Sequence, residues 1–310
     1  MAGAGLAQGY PARPVTMIVP FAAGGPTDVI ARIVGDHMSR TMGQQVVIEN
    51  VAGAGGTTGI IRGAQAAPDG YTLMMGHMGT HGAAPALYPN LKYDPAKSFD
   101  PIGLAAGTPI VIVARKDFPA ADLKGFLDHL KKNSEKMNQA QAGVGSVSHS
   151  TGVLFDSVVG IKPTLVAYRG TGPALNDLMS GQVDFMTDQI VNVAPQITGG
   201  NIKAYAIATP ERSPALPDVP TTKEAGLPAY EVSAWNAVFA PKGLPADVNA
   251  KLVAALRAAL ADETTRKRLL DLGAVIPDAK GQGPQALQTL VETEVARWTP
   301  VLKAAGAVAN

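Results

Sequence analysis

Repeatedly along this chain an apolar run ends in a glycine turn, and the turn opens an amphipathic helix. Val15–Pro20 leads into Phe21-Ala-Ala-Gly-Gly-Pro26 and then a helix from Thr27-Asp28. In that helix Ile30, Ile33, Val34, His37 and Met38 fall on one face, and Gly43 is its stop. Val46–Glu49 leads into Gly53-Ala-Gly-Gly-Thr57 and a helix to Ala67, and Tyr71–Met75 follows as the next apolar run. A nearly continuous apolar run suits a parallel strand covered on both faces. Strand, turn, helix and strand in this order predict a βαβ sheet with right-handed crossovers.

The pattern restarts downstream. Strands are predicted at 109–114, 138–142, 164–168, 183–186 and 203–209, with helices at 121–132, 149–159, 172–180 and 191–198 between them. The proline-rich stretch 210–228 reads as a connector. Helices at 246–260, 263–272 and 284–304 and a short strand at 274–276 complete the chain. These are two α/β units. The segments near 100–109 and 210–236 are read as crossovers between them. Lobe 1 is therefore discontinuous, 10–105 plus 225–310, and lobe 2 is 106–224, with a ligand cleft between.

The sum of 26 Lys+Arg and 25 Asp+Glu is +1, which argues against a nucleic-acid partner, since that needs a basic face. No apolar run approaches the roughly 18 residues of a membrane span, so direct membrane insertion is not expected. The absence of Cys excludes disulfides, thiolate metal sites and a cysteine nucleophile. Gly5 and Ala7 stand in the −3/−1 register of a secretory signal whose apolar stretch is missing, so we read a trimmed signal peptide. The same residues equally fit a flexible Gly/Ala leader.

Four segments carry candidate chemistry. His77 and His81 have the spacing of metal ligands on a helix. Gly76, Gly79 and Gly82 interleave them, so the expectation is loop histidines lining a pocket, with no metal and no cofactor. Gly143–Gly152 groups Ser146, Ser148 and His149. It reads as an anion-binding loop, as a plain N-cap, or less readily as a Ser/His nucleophile, because no G-x-S-x-G elbow is present. At Phe21–Asp28 glycines let backbone N–H groups face a ligand, and Asp28 is either a helix cap or a ligand contact. In Tyr168–Gly172, Gly170 and Thr171 are preferred over Arg169 as the ligand-facing part. These turns follow strand C-terminal ends, where open α/β sheets bind ligands.

The segments Tyr10-Pro-x-Arg-Pro14, Val19–Asp28, Val47–Gly56, Pro68–Thr72, Tyr168–Gly170 and Pro217–Thr221 together resemble the substrate-binding proteins of tripartite tricarboxylate transporters, the Bug/TctC family. The resemblance implies an α/β, two-lobed periplasmic binding protein of type II-like fold with two hinge crossovers. It implies capture of a small organic acid, an aliphatic dicarboxylate first, for membrane transporter subunits, by a monomer in the periplasm and with no catalysis. It further implies that one carboxylate is held by Phe21, Ala22, Ala23, Gly24, Gly25, Thr27 and Asp28 on one lobe. Gly145, Ser146, Ser148, His149 and Thr151 would hold it from the other, with Tyr168, Gly170 and Thr171 nearby. The far end of the ligand would meet Gly76, His77, Thr80 and Asp188. The rival readings are a module feeding a periplasmic sensor and a Ser/His hydrolase.

Overall fold

The computed structural model describes residues 9–307. The signal remnant read at Gly5 and Ala7 lies outside them. Strand β1 (Val15–Val19) pairs in parallel with β2 (Val46–Asn50) on one side and β3 (Thr72–His77) on the other. Helices α1 (Pro26–Met42) and α2 (Thr57–Ala64) make the crossovers. Both faces of β1 are covered. Val15, Met17 and Val19 pack with Ile30 and Val34 of α1, whereas Ile18 packs into a second core with Ile60 and Met74. Helix α1 ends as its sequence requires, with Gly43 left-handed (φ 71°) and its N–H on Ser39 O. It begins at Pro26, just ahead of the predicted start.

After β3 the expected loop is replaced by a wide π-type turn over 79–83, continued by α3 (Ala84–Leu87). The glycines that suggested a loop serve clearance instead. A Cβ on Gly79 would lie 2.3 Å from Gly145 O, and one on Gly82 would press on Glu294.

The largest correction concerns the two crossovers. Strand β4 (Phe99–Arg115) runs through the first, and an unpredicted strand, β9 (Ser233–Pro241), begins at the end of the second. They pair antiparallel from Phe99↔Pro241 to Pro109↔Ser233. Pro101, Gly103 and Gly107 are poor strand formers, and two register shifts, at Pro101/Gly103 and Leu104/Ala106, absorb the irregularity. Beyond Pro109, β4 exchanges β9 for β7 (Phe185–Gln189) and β8 (Ile202–Ile207). The sheet continues through β5 (Asn138–Gln141) to β6 (Thr164–Ala167), so its order is β2-β1-β3-β9-β4-β7-β5-β6 with β8 also on β4.

Helices α4 (Leu123–Asn133), α5 (Val147–Val159), α6 (Thr171–Met179) and α7 (Ile190–Thr198) belong to the second half of the sheet. The C-terminal helices return to the first half. Of these, α8 (Ala246–Ala261) packs on α1, α9 (Glu263–Asp271) follows it, and α10 (Pro284–Ala304) covers β4 and the 79–87 segment. Residues 274–276 form a single bridge, Gly107 to Val275, rather than a strand. Strand β7 lies further along the chain than predicted, which bears on the site. Among the described residues no helix is long and apolar enough to cross a membrane.

Candidate functional site

Helices α1, α5 and α6 start at one small cavity of about 20 Å³. Their N-caps are Gly25, Ser146 and Gly170. The first-turn N–H groups of a helix have no intrahelical acceptor, and the helix dipole makes that end positive. Thr27 and Asp28, Val147 and Ser148, and Thr171 bring such groups to the cavity wall. No Lys or Arg lines it. Backbone donors converging in this way suit an anion.

Asp28 organises this wall. Its Oδ2 accepts from Gly24 N (3.0 Å) and Arg32 Nε (2.9 Å), and its Oδ1 from Arg32 Nη2 and Asn50 Nδ2 (both 2.9 Å). Burial alone would raise its pKa, but these bonds together hold the carboxyl below its ordinary value. Both oxygens are thus saturated, so Asp28 fixes the glycine turn and neutralises Arg32.

On the opposite wall, Ser146 Oγ accepts from His149 N (3.1 Å) and lies 3.3 Å from Ser148 Oγ, which accepts from Ala142 N (3.0 Å). The plain-cap reading of Ser146 therefore holds, and with one of the two hydroxyls donating to the other, one hydroxyl proton stays free to serve a ligand. His149 Nδ1 accepts from Gly145 N (3.3 Å), and burial pushes its pKa down to about 4. Ser146 thus bonds the His149 backbone and not its ring, so no Ser–His general-base pair forms.

His77 closes the cavity against Phe21, ring centroids 4.9 Å apart. Thr80 N donates to its Nδ1 (3.1 Å), which leaves the ring proton on Nε2. Burial pushes its pKa down to about 4, so it is a neutral N–H donor. His81 points elsewhere. Its ring stacks on Phe239 at 4.0 Å in the core, with Thr80 Oγ1 on its Nδ1 (2.9 Å). Among the described residues no three His, Asp or Glu side chains group as metal ligands would.

Gln189 was not anticipated. Its Oε1 accepts from Thr108 Oγ1 (2.7 Å) and Asn236 Nδ2 (2.8 Å), and Asn236 Oδ1 accepts from Thr27 Oγ1 (3.0 Å). With Oε1 taken, the Gln189 NH2 group is the end left for the cavity. Pro26, Ala142 and Val147 also line it without having been singled out. The signal for Gln189 was the rule that ligands meet strand C-terminal ends. Ending β7 at 186 hid it.

The cavity joins Phe21, Gly25, Thr27 and Asp28 to His77, Ser146, Ser148 and Thr171. The other candidates stand around it. Ala22 N donates to Arg169 O (3.0 Å) across the gap between the two turns, with Gly170 beside it. Ala23 and Gly24 face an outer crevice with Gly172. Tyr168 donates to Asp177 Oδ2 (2.6 Å). Gly76 lies against the His81 ring, Thr80 braces both histidines, and Gly145 and His149 brace the Ser146 turn. Thr151 pairs with Thr187 (2.8 Å). Asp188 is fully buried behind Thr171. Gly55 (φ 59°) meets the facing loop so closely that a Cβ there would lie 1.7 Å from Val144 O. Tyr88 OH lies within hydrogen-bond distance of both Ala54 O and Val144 O, sharing its proton between the two loops at a crevice beside the cavity.

Residues 30–307 match the family model described as tripartite tricarboxylate transporter family receptor. The chain is 49% identical to MatC (Rpa3494) from Rhodopseudomonas palustris, solved with bound malate. The match covers 94% of this chain and 100% of that one, with a TM-score of 0.92. It is 45% identical to the periplasmic binding protein BugD, over 96% and 99% of the two chains, with a TM-score of 0.93. R. palustris Rpa4515, solved with adipate, is 33% identical over 97% and 100%, with a TM-score of 0.92.

Proposed function

This chain belongs to the tripartite tricarboxylate transporter family receptors, a family of two-lobed periplasmic binding proteins, and from that membership we propose that it captures a small aliphatic dicarboxylate. The observation that carries this reading is the meeting of three helix N-termini at a cavity without a cation. One carboxylate takes the N–H groups of Thr27, Ser148 and Thr171 and the Ser146 hydroxyl. The other end takes the N–H donors of His77 and Gln189. Malate in MatC and adipate in Rpa4515 support a ligand of this class.

The energetics suffice. Each charge-assisted hydrogen bond contributes about 1.5–3 kcal/mol net. A micromolar complex needs about 8 kcal/mol after a cost of about 4 kcal/mol or more for lost freedom. About six such donors meet that need.

The protein then presents its ligand, as a monomer in the periplasm, to the membrane subunits of a tripartite transporter. Its lobes are 10–105 plus 225–310 and 106–224. Support for that division comes from β4, which exchanges neighbours after Pro109. A thermal-shift screen of mono-, di- and tricarboxylates tests the binding reading. A ligand at 100 times its Kd adds about 2.7 kcal/mol of stability. If no organic acid raises the Tm, the reading fails. Unimpaired uptake of the ligand after gene deletion counts against the transport role.

A further inference from the structure

Asp188 is the one carboxyl among the described residues that is fully buried and yet keeps an oxygen, Oδ1, without a hydrogen-bond partner. It precedes Gln189 on β7, so the two side chains leave opposite faces of the strand. Gln189 faces the cavity. Asp188 faces the starts of α6 and α7, where its Oδ2 accepts from Asn192 Nδ2 (2.5 Å) and the Thr171 side chain approaches it. Its partner across β4 is Val111. None of these groups is charged. Thr171 itself lines the cavity, so it stands between the Asp188 carboxyl and the ligand.

That placement sets up a competition for one hydroxyl. An ionised Asp188 accepts only, so it draws the Thr171 proton toward itself and repels an incoming carboxylate. A protonated Asp188 donates instead, and Thr171 can turn its own proton to the ligand. Resting on the carboxylate-binding reading above, we propose that ligand binding takes up one proton from solvent, which bonds to the Asp188 carboxyl and sets the Thr171 hydroxyl as a donor toward the ligand. Asp188 is thereby a positioning residue that makes the site select its anion together with a proton.

The surrounding groups leave this role to Asp188. Burial pushes its carboxyl up to about 7, against the bonds from Asn192, the Gln189 N–H and Thr171. His77 and His149, pushed down to about 4, stay neutral through that range, and Asp28 stays ionised. The one competitor near the site is Asp156 on α5, which Gln139 Nε2 contacts (3.2 Å) and burial pushes up to about 8.

Calorimetric titration of malate into the full chain, in buffers of different ionisation enthalpy, measures the proton directly. The wild type should take up at most about three quarters of a proton near pH 7.5, rising toward one at higher pH, and its Kd should weaken toward about tenfold per pH unit above pH 7. Asp188→Asn should bind with no uptake and a flat pH profile, while Asp156→Asn keeps the uptake. Thr171→Val removes the relay hydroxyl and keeps the carboxyl, so it should weaken binding and at least halve the uptake. Malate binding by the wild type with no proton uptake overturns the inference. Uptake that survives in Asp188→Asn or is unchanged in Thr171→Val overturns it equally. If malate, succinate and adipate all fail to bind at every pH, the functional reading itself falls and takes this one with it.

Discussion

Asn236 donates its amide to Gln189 Oε1 at 2.8 Å, linking strand β9 of one sheet half to β7 of the other at the cavity wall. The same Gln189 oxygen takes the Thr108 hydroxyl, and Asn236 takes that of Thr27. This buried network orients the free end of Gln189 toward the cavity. Gln189→Glu replaces that donor with an acceptor-only group. Affinity for a dicarboxylate should fall by about 1.5–3 kcal/mol, which is tenfold or more. Calorimetry checks this, and undiminished affinity removes Gln189 from the site.

Ser146 caps α5 and, in the proposed function, also donates to the ligand. Ser146→Ala should cost about 0.5–2 kcal/mol of stability through the lost cap. Carboxylate affinity should fall as well. The double variant with Thr27→Ala should lose further stability, because Thr27 Oγ1 is committed to Asn236. Urea denaturation and calorimetry on the same samples separate the two effects. A stability loss with no change in affinity reduces Ser146 to a cap.

Asp28→Asn should destabilise the protein at neutral pH by about 1.5–3 kcal/mol, the range for hydrogen bonds to a charged group. It should also loosen the turn at Gly24. The folded pKa of Asp28 lies below 3.8, so its contribution is present above that value and is lost as pH falls through the folded pKa. The stability gap between wild type and variant should therefore close below about pH 3.8. A gap that persists into strong acid would show that packing, not charge, is responsible.

Gly55→Ala tests the loop contact beside the cavity. The new Cβ would lie 1.7 Å from Val144 O, at a left-handed backbone position. The loops could then no longer meet. Ligand affinity should drop by about tenfold or more, about 1.4 kcal/mol, through faster dissociation. Stopped-flow measurement of the off-rate reads this, and an unchanged rate means the contact does not retain the ligand.

Two buried histidines should each contribute an acid sensitivity well above the carboxylate range. His77 and His149 have folded pKa values pushed by burial from 6.5 to about 4. Between those values the unfolded chain binds protons that the folded one refuses. The contribution of each histidine is therefore full above about pH 6.5 and is lost as pH falls toward 4, at up to about 1.4 kcal/mol per pH unit, while the raised carboxyls of Asp188 and Asp156 act in the opposite sense over that window. His149→Gln should flatten the slope of the urea midpoint against pH. An unaltered slope would assign the acid sensitivity to other groups.

Much of the fold was legible because its signals are local. The apolar run Val15–Val19, the stop at Gly43 and the cap at Ser146 act within a few residues of themselves. The strand β4–β9 pairing was not legible, because Pro101, Gly103 and Gly107 are poor strand formers and their partners lie more than a hundred positions away. The glycines around His81 misled for a related reason. Gly76 gives room to the His81 ring and Gly79 to Gly145 O, and neither contact leaves a trace in local spacing.

The sequence by itself determined the βα units, the glycine turns at strand ends and the neutral composition that an anion site of backbone donors needs. Helical and strand periodicity and helix caps are short-range physics, readable residue by residue. Only the tertiary structure decided which turns share a cavity. It also saturated Asp28 with Arg32 and Asn50, divided His77 from His81 between cavity and core, and brought Gln189 to the cavity wall. Those outcomes depend on packing and hydrogen bonds between residues far apart in the chain, where burial and not local preference sets the partner.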